Sequence, residues 1–445
     1  FRAFYTLLPQ GDYTINKGAI LGLYEVLEPR LADEDFKQIH KDIAAALQES
    51  LEAIVFHILA HYREKTGHTR LCLAGGVAQN SSMNGKIVRS GMFAEIFAPS
   101  FAADSGCAYG AAMQAAHQLG APVPKRPVTH AYWGSPVPAN DVVERELRGW
   151  SAFVDVAHLD NRAEQVAGLI AGGAVIGWVQ GRSEFGPRAL GNRSIIADPR
   201  LASHKETINA MIKMRESYRP FAPSVLKEAV RDFFEIPGVT DDFPFMSVVL
   251  PVRPEKREEL RAITHVDGTA RIQTVSREDN PVYWELIKAF GDRTGVPMLL
   301  NTSFNNHAEP IVDSVRDAMV CYVTSGLNYL VVGDWLVSKK AWAPSAMLGL
   351  TVCMSPAARL TQERRYVSAT ETGVAQELYW NYDPKRRFAI SAEWYALAGI
   401  GDGKRPLRTL IDDLGFSAEQ TERALTELSA LWSARLLTVG PAPAV

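Results

Sequence analysis

Apolar residues recur along the chain with two different periods. Ile39, Ile43, Leu47, Leu51, Ile54, Ile58 and Tyr62 fall three or four apart, the spacing of one helix face. Asp33, Glu34 and Asp35 precede them and suit the positive end of a helix dipole. The pattern predicts a long amphipathic helix over 33–64, packed on a sheet. The segment RLCLAGGVAQNSSMNGKI (70–87) then reads as an apolar strand ending at Gly75-Gly76, a polar turn and a helix. Residues 95–115 repeat that order, with EIFAP, the loop SFAADSG and the small-residue helix CAYGAAMQA. Two strand–glycine–helix units in succession predict an α/β sheet with a ligand at the carboxyl ends of its strands. Residues 121–154 are rich in proline, lack a period and read as a linker.

Beyond the linker the pattern gives a helix (AEQVAGLIAGG), a strand (AVIGWV, 174–179), an irregular loop, a strand (RSIIAD) and a helix (HKETINAMIK) that Pro220 and Pro223 follow. HVDGTARIQTV (265–275) reads as a turn entering an alternating strand, with Arg271 at its entrance. GVPMLLNTSFNNHAEPIV (295–312) reads as a buried strand that opens into Asn301, Thr302, Ser303 and Asn305. Residues 346–365 look like a second linker. The remainder predicts strands, two helices and a closing strand, with Ser417 and Gln420 as a capping box and Ala424, Leu425, Leu428 and Leu431 as a core stripe. The expected parts are therefore 1–120, 155–345 and 366–445.

Composition narrows the class. At 445 residues, 47% hydrophobic and 22% charged, the chain is long enough for two or three cores. No window reads as long and apolar enough to span a membrane, and Phe1 opens on no signal peptide, so a cytoplasmic protein is expected. Cys72, Cys107, Cys321 and Cys353 form no CxxC pair, which argues against a disulfide framework or a cysteine zinc site. A net charge of −3 argues against a broad nucleic-acid face.

Cationic charge is nevertheless concentrated. Residues 181–219 hold eight Arg or Lys against four acids. Gly181, Gly186, Pro187 and Gly191 break up the first part, so Arg182, Arg188 and Arg193 are expected on a tight irregular loop. Glycine admits a ligand close to the backbone, and guanidinium forks match phosphate and carboxylate oxygens. A solvated basic face needs neither the glycines nor the apolar strand feeding the loop, whereas strand, loop and following helix together would cradle an anion. Gly75 and Gly76 permit close approach to a nucleotide, and Asn80 is placed for a ribose or base edge. Asp104, at a strand end, suits either a metal or a helix cap. Hydroxyl and amide groups at Thr302, Ser303 and Asn305 suit a phosphate or an amide group of a ligand, or an ordinary polar turn.

GRSEFGPRALGNRSIIADPR followed by IN..IK.RE.YRPFAPSVL resembles the signature of the O-carbamoyltransferases of the nodulation and antibiotic-tailoring type, in their YrdC-related carbamoyltransferase domain. HVDGTAR and NTSFN with EPIV match the same family, with Ala308 where a glycine is common. LAGGVAQN and DSGCAYGAA resemble the second half of the actin-like, sugar-kinase-like ATPase fold at the front of these enzymes and of tRNA threonylcarbamoyl-transfer proteins. The tail resembles a winged-helix module of the PqqD type, which holds peptides; nucleic acid is disfavoured by its few basic residues.

The resemblance implies an α/β protein: half of an actin-like ATPase fold, a YrdC-like α/β domain and a small winged-helix-like module. It implies that ATP and carbamoyl phosphate form carbamoyl adenylate, and that the carbamoyl group then passes to a hydroxyl of a natural product or sugar. Arg188, Lys213, Arg219 and Arg271 become the anion-binding set, with Ser303 beside them. Gly75, Gly76, Asn80, Arg182, Thr302 and Asn305 become contacts to ATP, with Mg2+ possible. Asp104 becomes a ligand of a catalytic Fe2+. The family's other iron ligands come from an HxxxH helix and an aspartate in the first half of the ATPase-like fold. The HxxxH here, His57 to His61, falls at the wrong place and reads as chance on a helix. The first half is therefore expected upstream or in another chain. Two further readings stand beside transfer: tRNA threonylcarbamoylation, and a non-catalytic anion-binding scaffold whose tail recruits a peptide carrier.

The chemistry accounts for the number of cations. Two like charges at about 4 Å repel by roughly 4 kcal/mol at an effective dielectric near 20. A charge-assisted hydrogen bond contributes about 1.5–3 kcal/mol, so bringing two polyanions together takes three or four such contacts.

Overall fold

The apolar repeat near the N-terminus forms a helix, Gln38–Thr66, in the computed structural model, which describes residues 2–30, 34–122, 127–213, 220–238, 240–306, 309–366 and 372–442. It begins later than the spacing predicted, with Asp33 outside the described residues, and it ends at Gly67 in the left-handed conformation (φ 71°) that glycine accepts without strain. The expectation that its apolar stripe is sealed against a sheet is corrected. Ile39, Leu47 and Tyr62 are exposed, and the buried residue of the helix is Glu52, ion-paired with Lys86. The sequence reading of membrane spans is corrected as well: an 18-residue stretch of this helix is long and apolar enough to cross a membrane, by length and composition.

This helix belongs to a first unit made of residues 1–123, 235–242 and 247–250. Both predicted strand–glycine–helix repeats are present in it. Arg70–Cys72 pairs in parallel with Glu95–Phe97, and the helices Ser81–Ser90 and Asp104–Gln118 come after the respective loops. The strands are three residues each, so the core is small: Ala78, Met83, Ile87, Ala98 and Phe101. Gly85 is fixed by close approach, because a Cβ there would lie 1.9 Å from the Val249 carbonyl oxygen.

The second unit comprises residues 124–234, 243–246 and 251–445. Eight of its strands form one sheet, ordered Val154–His158, Trp335–Lys339, Tyr329–Val332, Ile176–Val179, Arg193–Ala197, Met298–Ser303, Ala222–Leu226 and Thr269–Val275. Two pairings are parallel, Ile176–Val179 with Tyr329–Val332 and Ala222–Leu226 with Thr269–Val275; the others named are antiparallel. The sheet is thus mixed, in a mixed α/β architecture. Helices Arg162–Ala171 and Pro281–Thr294 pack together on one face, burying Val166, Ile170, Trp178, Ile196, Leu286 and Phe290. Each such side chain contributes about 1.5–3 kcal/mol by leaving water.

Residues 121–154 and 346–365, read as linkers, contain structure. The first holds the helix Asn140–Arg148 and the second the strands Leu350–Met354 and Ala358–Tyr366. Farther on, Ala358–Tyr366, Thr372–Trp380 and Asp383–Ala389 make an antiparallel sheet, succeeded by helices Ala392–Ile400, Leu407–Asp413 and Ala418–Ser433. The closing strand Leu437–Pro441 pairs with Leu350–Met354. The Ser417–Gln420 capping box forms, and Ala424, Leu425, Leu428 and Leu431 are buried as the stripe predicted.

Candidate anion-binding site

The basic loop connects two neighbouring antiparallel strands, Ile176–Val179 and Arg193–Ala197. The strand read over RSIIAD is present, so the loop joins two strands of the sheet, and the helix expected to complete the cradle starts only beyond the second strand, at Ser203. Farther along, the predicted helix over 204–213 is a short α-helix, Ser203–Thr207, continued by a π-helical turn, Ile208–Lys213. The loop's own order comes from two ionisable side chains. Glu184 Oε1 accepts the backbone N–H groups of Leu190 (2.6 Å), Asn192 (2.8 Å) and Arg193 (3.3 Å). Those donors form an anion nest, and the loop fills it with its own carboxylate. Burial pushes the Glu184 carboxyl up, against the lowering effect of those hydrogen bonds.

Arg193, expected among the ligand-facing cations, is instead internal. It is fully buried and donates to the carbonyls of Gln180 (2.8 Å), Asn192 (3.0 Å), Ser135 (3.1 Å) and Asp313 (3.1 Å). Alternation along its strand sends it to the face opposite Ser194, whose hydroxyl accepts from Gly191 N–H at 3.0 Å. On that second face a polar network grips the loop's carbonyls. Tyr132 Oη and Gln273 Nε2 donate to Leu190 O (2.9 and 2.7 Å), Trp178 Nε1 to Gly191 O (2.9 Å) and Asn301 Nδ2 to Ala189 O (3.3 Å).

Arg188 stands apart from this network. Among the described residues it has no hydrogen bond and no acidic partner, and burial alone lowers its pKa. A desolvated guanidinium without a counter-charge is costly, and an anion removes that cost. Next to it opens a cleft of about 450 Å³ lined by Ser183, Glu184, Gly186, Pro187, Ser303, Asn305 and Asp313. Ser183 Oγ donates to Asp313 Oδ1 at 2.7 Å, and that bond lowers the Asp313 pKa. Ser303 Oγ donates to Asn305 Oδ1 at 2.7 Å.

Strand register places Arg271 on the same face as Ser303 and the loop. Gln273 lies opposite Ser224, which lies opposite Leu299, and side chains two residues apart share a face. The same alternation sends Thr302 to the other face, away from Ser303. Beside Arg271, His265 and Asp267 line a second cleft of about 370 Å³ with Lys205 and Pro220. Burial drives His265 down to about 4, helped by Arg271 and Lys205 and opposed by Asp267. Arg182 is exposed at the loop's start and donates to Trp133 O at 3.2 Å. The Lys213 side chain, Arg219 and Ala308 lie outside the described residues.

In the first unit, Gly75 (φ 89°) and Gly76 border open space, as close approach of a ligand requires. Asn80 Oδ1 caps a helix at Met83 N–H (3.0 Å), and its Nδ2 donates to Gln48 (2.7 Å). Sequence reasoning missed Glu184, Asp313 and His265. A lone acid inside a glycine-rich basic run was the available signal for Glu184.

The carbamoyltransferase C-terminus family matches residues 167–339, the span that holds the loop, the cleft and Arg271, and the carbamoyltransferase N-terminus family matches residues 6–113. Nodulation protein NolO of Bradyrhizobium diazoefficiens is 46% identical over 442 residues, 99% of this chain and 81% of that protein. The chain belongs to the carbamoyltransferase family. Nodulation protein NolNO of Sinorhizobium fredii is 48% identical over 442 residues, 65% of its length. The 3'-hydroxymethylcephem-O-carbamoyltransferase of Amycolatopsis lactamdurans is 35% identical over 298 residues, 66% of this chain and 53% of that enzyme. The chain therefore spans only part of those relatives, 65% of NolNO and 53% of the cephem enzyme.

Iron, which the family resemblance implies, does not fit the donors described. Asp104 is exposed at the first position of its helix, and His57 Nε2 is engaged with the Leu8 carbonyl at 2.8 Å. Among the described residues no three His, Cys, Asp or Glu side chains gather as a metal would require.

Proposed function

We propose that the chain is an O-carbamoyltransferase that makes carbamoyl adenylate from ATP and carbamoyl phosphate and passes the carbamoyl group to a hydroxyl of a small molecule, a natural product or a sugar. Within this reading residues 1–120 are the second half of an actin-like transfer domain and 155–345 a YrdC-like adenylation domain. The observation that carries it is Arg188, a half-buried guanidinium without a protein counter-charge among the described residues, whose chain neighbours Gly186 and Pro187 line a cleft inside the family-matched segment.

With atoms balanced, carbamoyl phosphate, ATP and water give carbamoyl adenylate, pyrophosphate and phosphate. The acceptor hydroxyl oxygen then attacks the carbamoyl carbon, AMP leaves with the bonding pair, and the hydroxyl proton is released. Arg188 and Arg271 offset the repulsion between the two polyanions, and Lys213 and Arg219 are assigned to the same task. Ser303 and Asn305 offer hydroxyl and amide groups to the carbamoyl moiety. The nodulation and cephem relatives support a small-molecule acceptor over tRNA.

The test is exchange of labelled pyrophosphate into ATP in the presence of carbamoyl phosphate. The wild-type chain exchanges, and Arg188→Ala lowers the rate by about 100-fold or more, the scale of one lost charge-stabilising contact. Exchange at the wild-type rate in Arg188→Ala removes the assignment.

A further inference from the structure

Arg435 closes the helix Ala418–Ser433 from a left-handed backbone conformation (φ 61°) that a residue with a Cβ adopts only under strain. That conformation secures a contact far away in sequence. The guanidinium donates twice to Glu309, Nε to Oε2 at 2.5 Å and Nη2 to Oε1 at 3.0 Å, and both side chains are almost buried, at 11% and 15% exposure. Glu309 lies just beyond the strand that carries Ser303. Its Oε1 accepts Asn306 N–H (3.3 Å), and its carbonyl accepts Asn305 Nδ2 (2.8 Å). Asn305 Oδ1 in turn accepts Ser303 Oγ (2.7 Å). Asn306 Nδ2 reaches back to the Ser433 carbonyl at 3.4 Å, a second tie to the same helix end.

A continuous hydrogen-bonded path thus runs from Arg435 to Ser303 and Asn305, two residues that line the cleft. Arg435 lies beyond residue 339, where the C-terminus family match ends. The matches to the nodulation relatives cover 99% of this chain and so extend past residue 339, whereas the match to the cephem relative covers 66%.

We propose that Arg435 is a positioning residue for the carbamoyl-binding cleft: the C-terminal module, through the Arg435–Glu309 fork, sets the conformation of Ser303, Asn305 and Asn306. This inference rests on the function proposed above for that cleft. A fork of two parallel N–H···O bonds fixes the angle of the carboxylate as well as its distance, which a lysine does not reproduce.

The test uses the full chain with Arg435→Met, Arg435→Lys and Glu309→Gln. Carbamoyl phosphate binding is measured by calorimetry, and amide hydrogen exchange is read over 303–313 with 193–197 as the internal control. Arg435→Met is expected to weaken binding about tenfold and to speed exchange over 303–313 about tenfold, with 193–197 unchanged and Arg435→Lys intermediate. If Arg435→Met does not fold, Glu309→Gln, which keeps the side-chain shape, is expected to move both readouts the same way. Unaltered binding and exchange together with a lowered melting temperature would mean that the fork only staples the module down, and overturns the proposal. If the wild-type chain binds no carbamoyl phosphate, the functional reading fails, and the exchange rate over 303–313 alone decides the positioning role.

Discussion

At the scale of single residues, charges inside the site region divide into those that build it and those left for a ligand. Glu184 builds: its Oε1 is the shared acceptor of three loop N–H groups. Glu184→Gln keeps an acceptor at that place and is expected to leave stability within about 1 kcal/mol, whereas Glu184→Ala leaves the donors without an acceptor and costs about 3 kcal/mol. Denaturant titration of both variants separates these outcomes. His265 supplies a pH dependence. Its folded pKa, about 4, lies below the ordinary value of 6.5, so the unfolded chain binds the proton more readily. Its contribution is complete above about pH 6.5 and is lost as pH falls toward 4, on the order of 3 kcal/mol at most. His265→Asn is expected to flatten the fall in stability over that window. An unchanged slope would mean that His265 is solvated.

Among elements, the loop between Ile176–Val179 and Arg193–Ala197 decides the site, and its seating depends on the helix Pro281–Thr294. Gly191 takes φ 108°, and a Cβ there would come 2.2 Å from Tyr283 Cδ1. Gly191→Ala is expected to cost about 3 kcal/mol from strain and overlap combined, read as a lowered denaturation midpoint. The sequence made this element legible, because glycine spacing and an apolar run before it are local signals. It did not reveal which arginine is left for a ligand. Arg188 and Arg193 look alike in composition, and only the pairing of strands decides that Arg193 points into the opposite face while Arg188 has no partner among the described residues. The helix Asn140–Arg148 and the strands over 350–366 were missed for a related reason: their burial is supplied by partners distant in sequence.

For the molecule as a whole, the two units carry different parts of the proposed chemistry. Arg188, Arg271, Ser303 and Asn305 belong to the second unit and Asp104 to the first. Asp104→Asn is therefore expected to leave carbamoyl-phosphate-dependent pyrophosphate exchange within about twofold of wild type, while Arg188→Ala lowers it about 100-fold or more. An exchange rate that falls as far in Asp104→Asn as in Arg188→Ala would place adenylation across both units and sink the division.

Arg193 links carbonyls at residues 135, 180, 192 and 313, points separated by most of the second unit's length. Two of these contacts, to residues 135 and 313, close long chain segments, which is entropically slow, so they are expected among the last to assemble during folding. A nascent or partly denatured chain would keep local helices yet hold no anion. Ligand-binding competence should then report completion of folding, returning in refolding experiments together with the slowest phase instead of with the early recovery of helical signal.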